Sequence, residues 1–108
     1  MFELKKLKEL YEKEFQKELK NLTKPKYVKN QILRNIAYEN LLKICKRDSS
    51  KISIVEDLIK SDIYLNEWFR KSFINSINEI KEKHKNINYV VWGGKNDKIQ
   101  QNNNSQNL

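Results

Sequence analysis

Glycine and proline are nearly absent from this chain, and their absence limits where the backbone can turn. Positions 1–92 contain no glycine, the two glycines stand together at 93–94, and Pro25 is the one proline. Because these two residue types most often interrupt regular structure, their distribution predicts helices joined by short polar links.

Cysteine and histidine occur once each, so the chain has few groups for redox, metal or acid–base chemistry. Cys45 alone excludes an internal disulfide and a cysteine-based zinc site within one chain. Its neighbours Leu42 and Ile44 predict a buried small hydrophobic side chain rather than a reactive thiol. His84 falls on the apolar stripe of a predicted helix, where a packed imidazole is more common than a general base.

Catalytic motifs are missing as well. The sequence has no G-x-S-x-G nucleophile turn and no dense aspartate cluster of the calcium-loop type, and its carboxylates alternate with lysines. We therefore expect a protein that is not an enzyme and that carries no cofactor and no metal.

No long apolar run is present. No uninterrupted apolar segment approaches the roughly 18–20 residues of a transmembrane helix, and the N-terminal residues lack the apolar core of a signal peptide. The sequence predicts no membrane partner and an intracellular, reducing location, which we take to be the cytoplasm.

The length of 108 residues suits a single domain. We predict one helical domain over 1–94, followed by a disordered Asn/Gln-rich tail over 95–108. A core of this size leaves little room for an enclosed cavity, so no small-molecule substrate is expected.

Three long segments repeat their apolar residues with helical spacing. They predict helices over Phe2–Leu22, over Pro25–Arg47 and over Ile63–His84, the last capped by Ser61 and Asp62. A capping-box spacing over Ser53–Glu56 predicts a short helix between the second and third.

The fold class predicted from these segments is all-α. We expect a small three- to four-helix bundle in which the first two long helices form an αα-hairpin and the last packs across them. The β-prone run Tyr89–Trp92 is predicted to lie extended, either on the surface or paired as a strand with Ile52–Val55.

Positive charge is in excess and is unevenly distributed. The formal net charge is +8. Residues 1–50 hold thirteen Lys and Arg against seven Asp and Glu, a net of +6, whereas residues 51–108 hold nine against seven, a net of +2. Lysines that merely solvate helix faces are one interpretation of this excess; an anionic partner is the other.

The second interpretation rests on a stretch without carboxylates around Pro25. Between Leu19 and Tyr38 the chain carries five cations and not one acidic residue. With the neighbouring Tyr27 and Asn30, they form the predicted nucleic-acid-binding set of Lys20, Lys24, Lys26, Tyr27, Lys29, Asn30 and Arg34. Such a surface would contact phosphates with little regard to base sequence.

Large apolar residues support a competing hypothesis. Tyr64, Trp68 and Trp92 are bulky for so small a domain, and any that stay uncovered would favour a protein partner. The alternative function is therefore a protein–protein interaction module, either a complex subunit or an inhibitor. It would bind an acidic protein surface or a second copy of the chain.

Overall fold

Helices make up nearly all of the described backbone. The computed structural model describes the backbone of residues 2–93 and the side chains of residues 5–85. Its elements are α1 (Phe2–Leu22), α2 (Pro25–Val28), α3 (Gln31–Arg47), a 3₁₀ turn (Ser49–Lys51), α4 (Ile52–Ser61) and α5 (Glu67–Gly93). The predicted all-α class is thus confirmed over residues 2–93. The tail predicted over 95–108 lies outside the described residues.

Helix α1 begins and ends where its apolar pattern predicted, at Phe2 and Leu22. Phe15 and Leu22 on its stripe are buried, because they face α3. Tyr11 Oη accepts a hydrogen bond from Arg47, the last residue of α3. The part of α1 before Tyr11 therefore extends past the end of α3.

The predicted second helix is interrupted, which corrects the prediction of one helix over Pro25–Arg47. Pro25 starts the four-residue α2, as expected for a residue whose missing N–H is not needed at a helix start. Asn30 then has an extended backbone, and its side chain accepts a hydrogen bond from the Leu33 N–H at 3.1 Å. The Asn30 side chain therefore caps a new helix, which begins at Gln31. This local hydrogen bond competes with the backbone bonds of a helix that would continue through Asn30.

The short helix predicted between the second and third long helices is present as α4, but the caps predicted at Ser53 and at Ser61–Asp62 are wrong. Asp48 caps the 3₁₀ turn by accepting from the Ser50 N–H, and that turn leads directly into α4. Asp62 faces the interior, and Asn66 takes over as the cap of α5 by accepting from the Trp68 N–H at 2.8 Å. Helix α4 itself has Lys51 at its N-cap position and no side-chain cap.

The extended conformation predicted for Tyr89–Trp92 is not confirmed, since the backbone of α5 is helical through these residues. Ile52–Val55, the proposed strand partner, lies in α4. β-propensity is a weak preference that depends on pairing, and a helix already formed extends at little cost.

Helix α3 lies at the centre, in contact with α1, α2, α4 and α5. The core is a single cluster in which Tyr38 and Phe73 pack with ring centroids 5.5 Å apart. Over residues 2–93, no helix combines the length and apolar character needed to cross a bilayer.

Helices α1 and α4 end at the same side of the molecule where α2, α3 and α5 begin. Arg34 of α3 joins the Leu22 carbonyl to the Asp62 carboxylate there, and the Gln31 side chain accepts from the Asn66 N–H. We call this side the corner end, because it holds the chain reversal around Pro25.

Candidate nucleic-acid interface

Four of the five predicted cations are on the surface of the corner end. Lys20 lies in the last turn of α1, Lys24 precedes α2, Lys26 lies within α2 and Lys29 follows it, and all four are exposed. The salt bridges among the described side chains use other cations, so none of these four is neutralised by an acid within residues 5–85. We call them the corner lysines.

Arg34 does not belong to this surface, which corrects its place in the predicted binding set. Its side chain is buried, and its Nε donates to Asp62 Oδ2 at 2.7 Å while Nη1 donates to the Leu22 carbonyl at 2.9 Å. A guanidinium has several donors in a fixed plane, which suits it to tie two chain segments together in the interior. Arg34 therefore builds the corner end and presents no donor to a phosphate in this structure.

Tyr27 and Asn30 are more engaged than their sequence context suggested. Tyr27 is half-buried against the core. The Asn30 side-chain oxygen, Oδ1, caps α3 by accepting from the Leu33 N–H. Asn30 remains exposed, so its amide lies beside Lys29 at the surface.

The corner lysines are continued along α1 by residues that sequence reasoning missed. Lys13 and Lys17 are exposed and line one surface groove together with Lys20 and Lys24. At about 100° per residue, Lys13, Lys17 and Lys20 fall within roughly 60° of the helix circumference. Their spacing in the sequence was the signal that could have found them.

Apolar side chains share the corner end with the lysines. Tyr64 and Trp68 were predicted as partner-binding residues, and both are exposed, Trp68 by 77% of its surface. Ile32 and Ile63 are exposed nearby and were not predicted. The side chain of Trp92, the third predicted residue, lies outside the described side chains.

The segment that carries these apolar residues is held by a buried polar cluster. Asp62 Oδ2 accepts from Arg34 and, at 2.6 Å, from the Tyr38 hydroxyl, while Asp62 Oδ1 accepts from the Tyr64 N–H at 2.9 Å. Arg70 donates to backbone carbonyls at the end of α4 and to that of Asp62 itself. The chain between α4 and α5 is thus fixed from both sides.

The electrostatics of this cluster favour an ionised Asp62. Burial alone would raise the pKa of Asp62, but the hydrogen bonds from Arg34 and Tyr38 outweigh it and hold that pKa below its usual value. Burial, followed by the hydrogen bond to Asp62, raises the pKa of Tyr38 well above its ordinary value. Asp62 therefore stays charged and Tyr38 neutral at physiological pH.

Metal-ligating side chains do not cluster among the described residues. They contain no group of three or more His, Cys, Asp and Glu side chains that could hold a metal ion. Cys45 is buried, as predicted, and burial together with the nearby Asp48 charge raises its pKa to about 12. His84 Nε2 lies 2.9 Å from the Cys45 carbonyl oxygen near the end of α3. The imidazole is therefore packed at the edge of the core.

Comparison with known proteins adds no relative: no protein-family model, curated protein or solved structure matches this chain.

Proposed function

We propose that this protein is a small, basic, non-enzymatic accessory protein of the cytoplasm. It contacts nucleic acid, or an assembly that contains nucleic acid, through the corner lysines. The observation that supports this proposal is that four ammonium groups are exposed at one end of the molecule and none is paired with an acid among the described residues.

Nucleic-acid backbones suit this surface because they present regularly spaced negative charges. Lysine ammonium groups on flexible stems act as point charges and contact phosphates without demanding a fixed geometry. Lys13 and Lys17 continue the row of exposed lysines along α1 as far as Glu9 and Glu12, which line the far part of the same groove, so a backbone could continue beyond the corner up to these acids.

The test is the salt dependence of binding to DNA or heparin. If the four corner lysines each contact one phosphate of a duplex, log K should fall against log salt with a slope of about −3.6. Raising salt from 50 to 200 mM should then weaken binding by roughly a hundred-fold. Changing Lys24, Lys26 and Lys29 to Glu should abolish retention on heparin at physiological salt.

A matched control makes the same charge change elsewhere. Lys43, Lys83 and Lys85 are exposed on α3 and α5, and the structure assigns none of them a salt bridge. Changing these three to Glu should weaken retention much less than the corner variant does. Equal loss in both variants would show that only net charge matters, and the corner would have no special role.

The second candidate function is a protein–protein interaction module. It is favoured by the exposure of Ile63, Tyr64 and Trp68 on one short segment of the corner end. Its partner would be an acidic protein surface or a second copy of the chain. Salt-insensitive association that survives the Lys24, Lys26 and Lys29 changes, measured by size-exclusion chromatography with light scattering, would support it over the first proposal.

A further inference from the structure

Exposed aromatic side chains next to unpaired lysines suggest which form of nucleic acid the corner end binds. We infer that it binds single strands in preference to duplexes, with bases stacked on Trp68 and Tyr64 and with phosphates held by the corner lysines. This inference rests on the proposed nucleic-acid function and specifies its ligand.

The first observation is how much apolar surface one short segment exposes. Ile63 is 81%, Trp68 77% and Tyr64 52% exposed, although Leu65 between them is buried at 4%. Leu65 anchors the segment in the core, so its neighbours are directed outward. Trp68 follows on the first turn of α5.

The second observation is that this segment is fixed rather than loosely exposed. The N–H of Tyr64 is bound by Asp62 Oδ1, that of Asn66 by Gln31 Oε1, and that of Trp68 by Asn66 Oδ1. Because these three backbone donors are already bonded, a rearrangement that covered the aromatic rings would break hydrogen bonds. The rings form a preorganised surface, which lowers the entropic cost of binding.

The third observation is that side-chain contacts join the segment of the aromatic rings to the chain segments that carry the lysines. The Arg34 guanidinium lies 5.4 Å from the centroid of the Tyr64 ring and donates to the Leu22 carbonyl at the end of α1. A single buried side chain therefore separates Tyr64 from the segment that carries Lys20 and Lys24. On the other side, the Asn66 N–H donates to Gln31 Oε1 and so joins the start of α5 to the first residue of α3, two positions after Lys29.

Single strands fit this combination better than duplexes do. In a duplex the base faces are stacked on each other, so flat aromatic side chains at the surface find only sugars and phosphates. In a single strand every base offers a free face, and aromatic stacking adds to phosphate contacts with little sequence preference. The charge of the strand also complements the lysines.

The experiment uses the full chain with Trp92 changed to Phe, so that Trp68 is the one fluorescent tryptophan. Titration with a poly-dT oligonucleotide should quench Trp68 fluorescence, and its affinity should exceed that for a duplex of equal length by about ten-fold at the same salt. The Trp68 variants lack this fluorophore, so their binding is measured by the fluorescence anisotropy of dye-labelled oligonucleotides. Trp68→Leu should weaken poly-dT binding by roughly ten-fold and leave duplex binding within about two-fold.

Conservative replacements separate stacking from general apolar contact. Trp68→Phe keeps an aromatic face and should retain most of the poly-dT affinity, whereas Trp68→Leu keeps apolar area without a ring and should lose it. Ile54→Ala, which removes an exposed apolar side chain near the start of α4 and away from the corner end, should leave both affinities unchanged. Circular dichroism should show all three variants folded, since both residues are on the surface.

The outcomes distinguish this inference from the function on which it depends. Equal affinity for poly-dT and duplex, or equal losses in the Phe and Leu variants, would overturn the single-strand inference and leave nucleic-acid binding standing. Absence of salt-dependent binding to either probe would overturn both. A stoichiometric protein complex or a dimer that is lost on Trp68→Leu, without poly-dT binding, would assign the surface to protein docking instead.

Discussion

Arg34 shows how far one residue's role can depend on a distant partner. In the sequence it follows a run of surface lysines, yet its carboxylate partner Asp62 lies 28 positions further along the chain. Nothing local indicates that pairing, so sequence reasoning grouped Arg34 with the lysines. The four corner lysines are exposed, in a stretch from Leu19 to Tyr38 that contains no acid.

We predict that breaking the buried pair destabilises the fold strongly. Asp62→Asn leaves the Arg34 charge buried without a carboxylate partner, and Arg34→Met leaves the Asp62 charge buried without its guanidinium. Removing one partner of a buried ion pair typically costs about 3–5 kcal/mol. The measurement is the urea dependence of unfolding, followed by circular dichroism.

Two companion variants control this prediction. Tyr38→Phe removes only the hydroxyl and should cost about 1–3 kcal/mol, since its hydrogen bond is made to a charged acceptor. Glu67→Gln removes an exposed carboxylate that pairs with Arg70 and should cost under about 1 kcal/mol. Similar costs for Asp62→Asn and Glu67→Gln would mean that the buried pair contributes no more than a surface contact.

We predict that stability falls at both ends of the pH range because of this cluster. The folded-state pKa of Asp62 lies below its unfolded value of about 3.9, so its contribution is present above that value and is lost as pH falls through the folded pKa. The pKa of Tyr38 is raised, so its contribution is present below the unfolded value of about 10 and declines above it.

Urea midpoints measured across pH check this prediction. The wild-type midpoint should stay nearly level from about pH 5 to 9 and fall outside that window. In Tyr38→Phe the alkaline fall should be smaller while the acid fall persists. An unchanged alkaline limb in that variant would assign the loss to other groups.

At the scale of elements, apolar periodicity predicted where helices form better than where they stop. Helix α1 matches its prediction at both ends because its stripe is continuous and Pro25 follows closely. The apolar pattern runs across Asn30, so it does not predict the break between α2 and α3. Periodicity also gives a helix an apolar face without saying what covers that face, so the exposure of Ile32 and Ile63 was not foreseen.

We predict that Asn30 is needed for α3 to begin at Gln31. Asn30→Ala removes the acceptor for the Leu33 N–H and should cost about 1 kcal/mol, whereas Asn30→Asp keeps an acceptor and should cost little. Asn75→Ala is the control, since Asn75 is exposed within α5 and alanine favours helix there. Chemical denaturation of the three variants measures the differences, and a neutral Asn30→Ala would show that the cap contributes nothing.

At the scale of the whole molecule, the described Cα atoms extend over 52 × 39 × 17 Å. The smallest extent is less than twice the roughly 10 Å diameter of one helix, so most helices have a side facing solvent. This shape explains how a chain with one core also exposes large apolar residues.

We predict that a bound polyanion stabilises the whole fold. A ligand that binds only the folded protein adds about 2.7 kcal/mol at one hundred times its Kd, and the melting temperature should rise accordingly. Thermal unfolding with poly-dT at low salt should show this rise for the wild type and for the Lys43, Lys83 and Lys85 variant. The Lys24, Lys26 and Lys29 variant should show no rise, and an equal rise in all three proteins would contradict binding at the corner.

The buried carboxylate of Glu18 affects how α1 packs against α3. It accepts from Asn40 of α3 at 2.8 Å and from Asn21 of its own helix at 3.1 Å. Two helices that meet through apolar side chains can slide by one turn, about 5.4 Å, and still bury similar area. Such a slide would separate the Glu18 carboxylate from Asn40, so Glu18 adds to the two arginine contacts in fixing one register of α1 against α3.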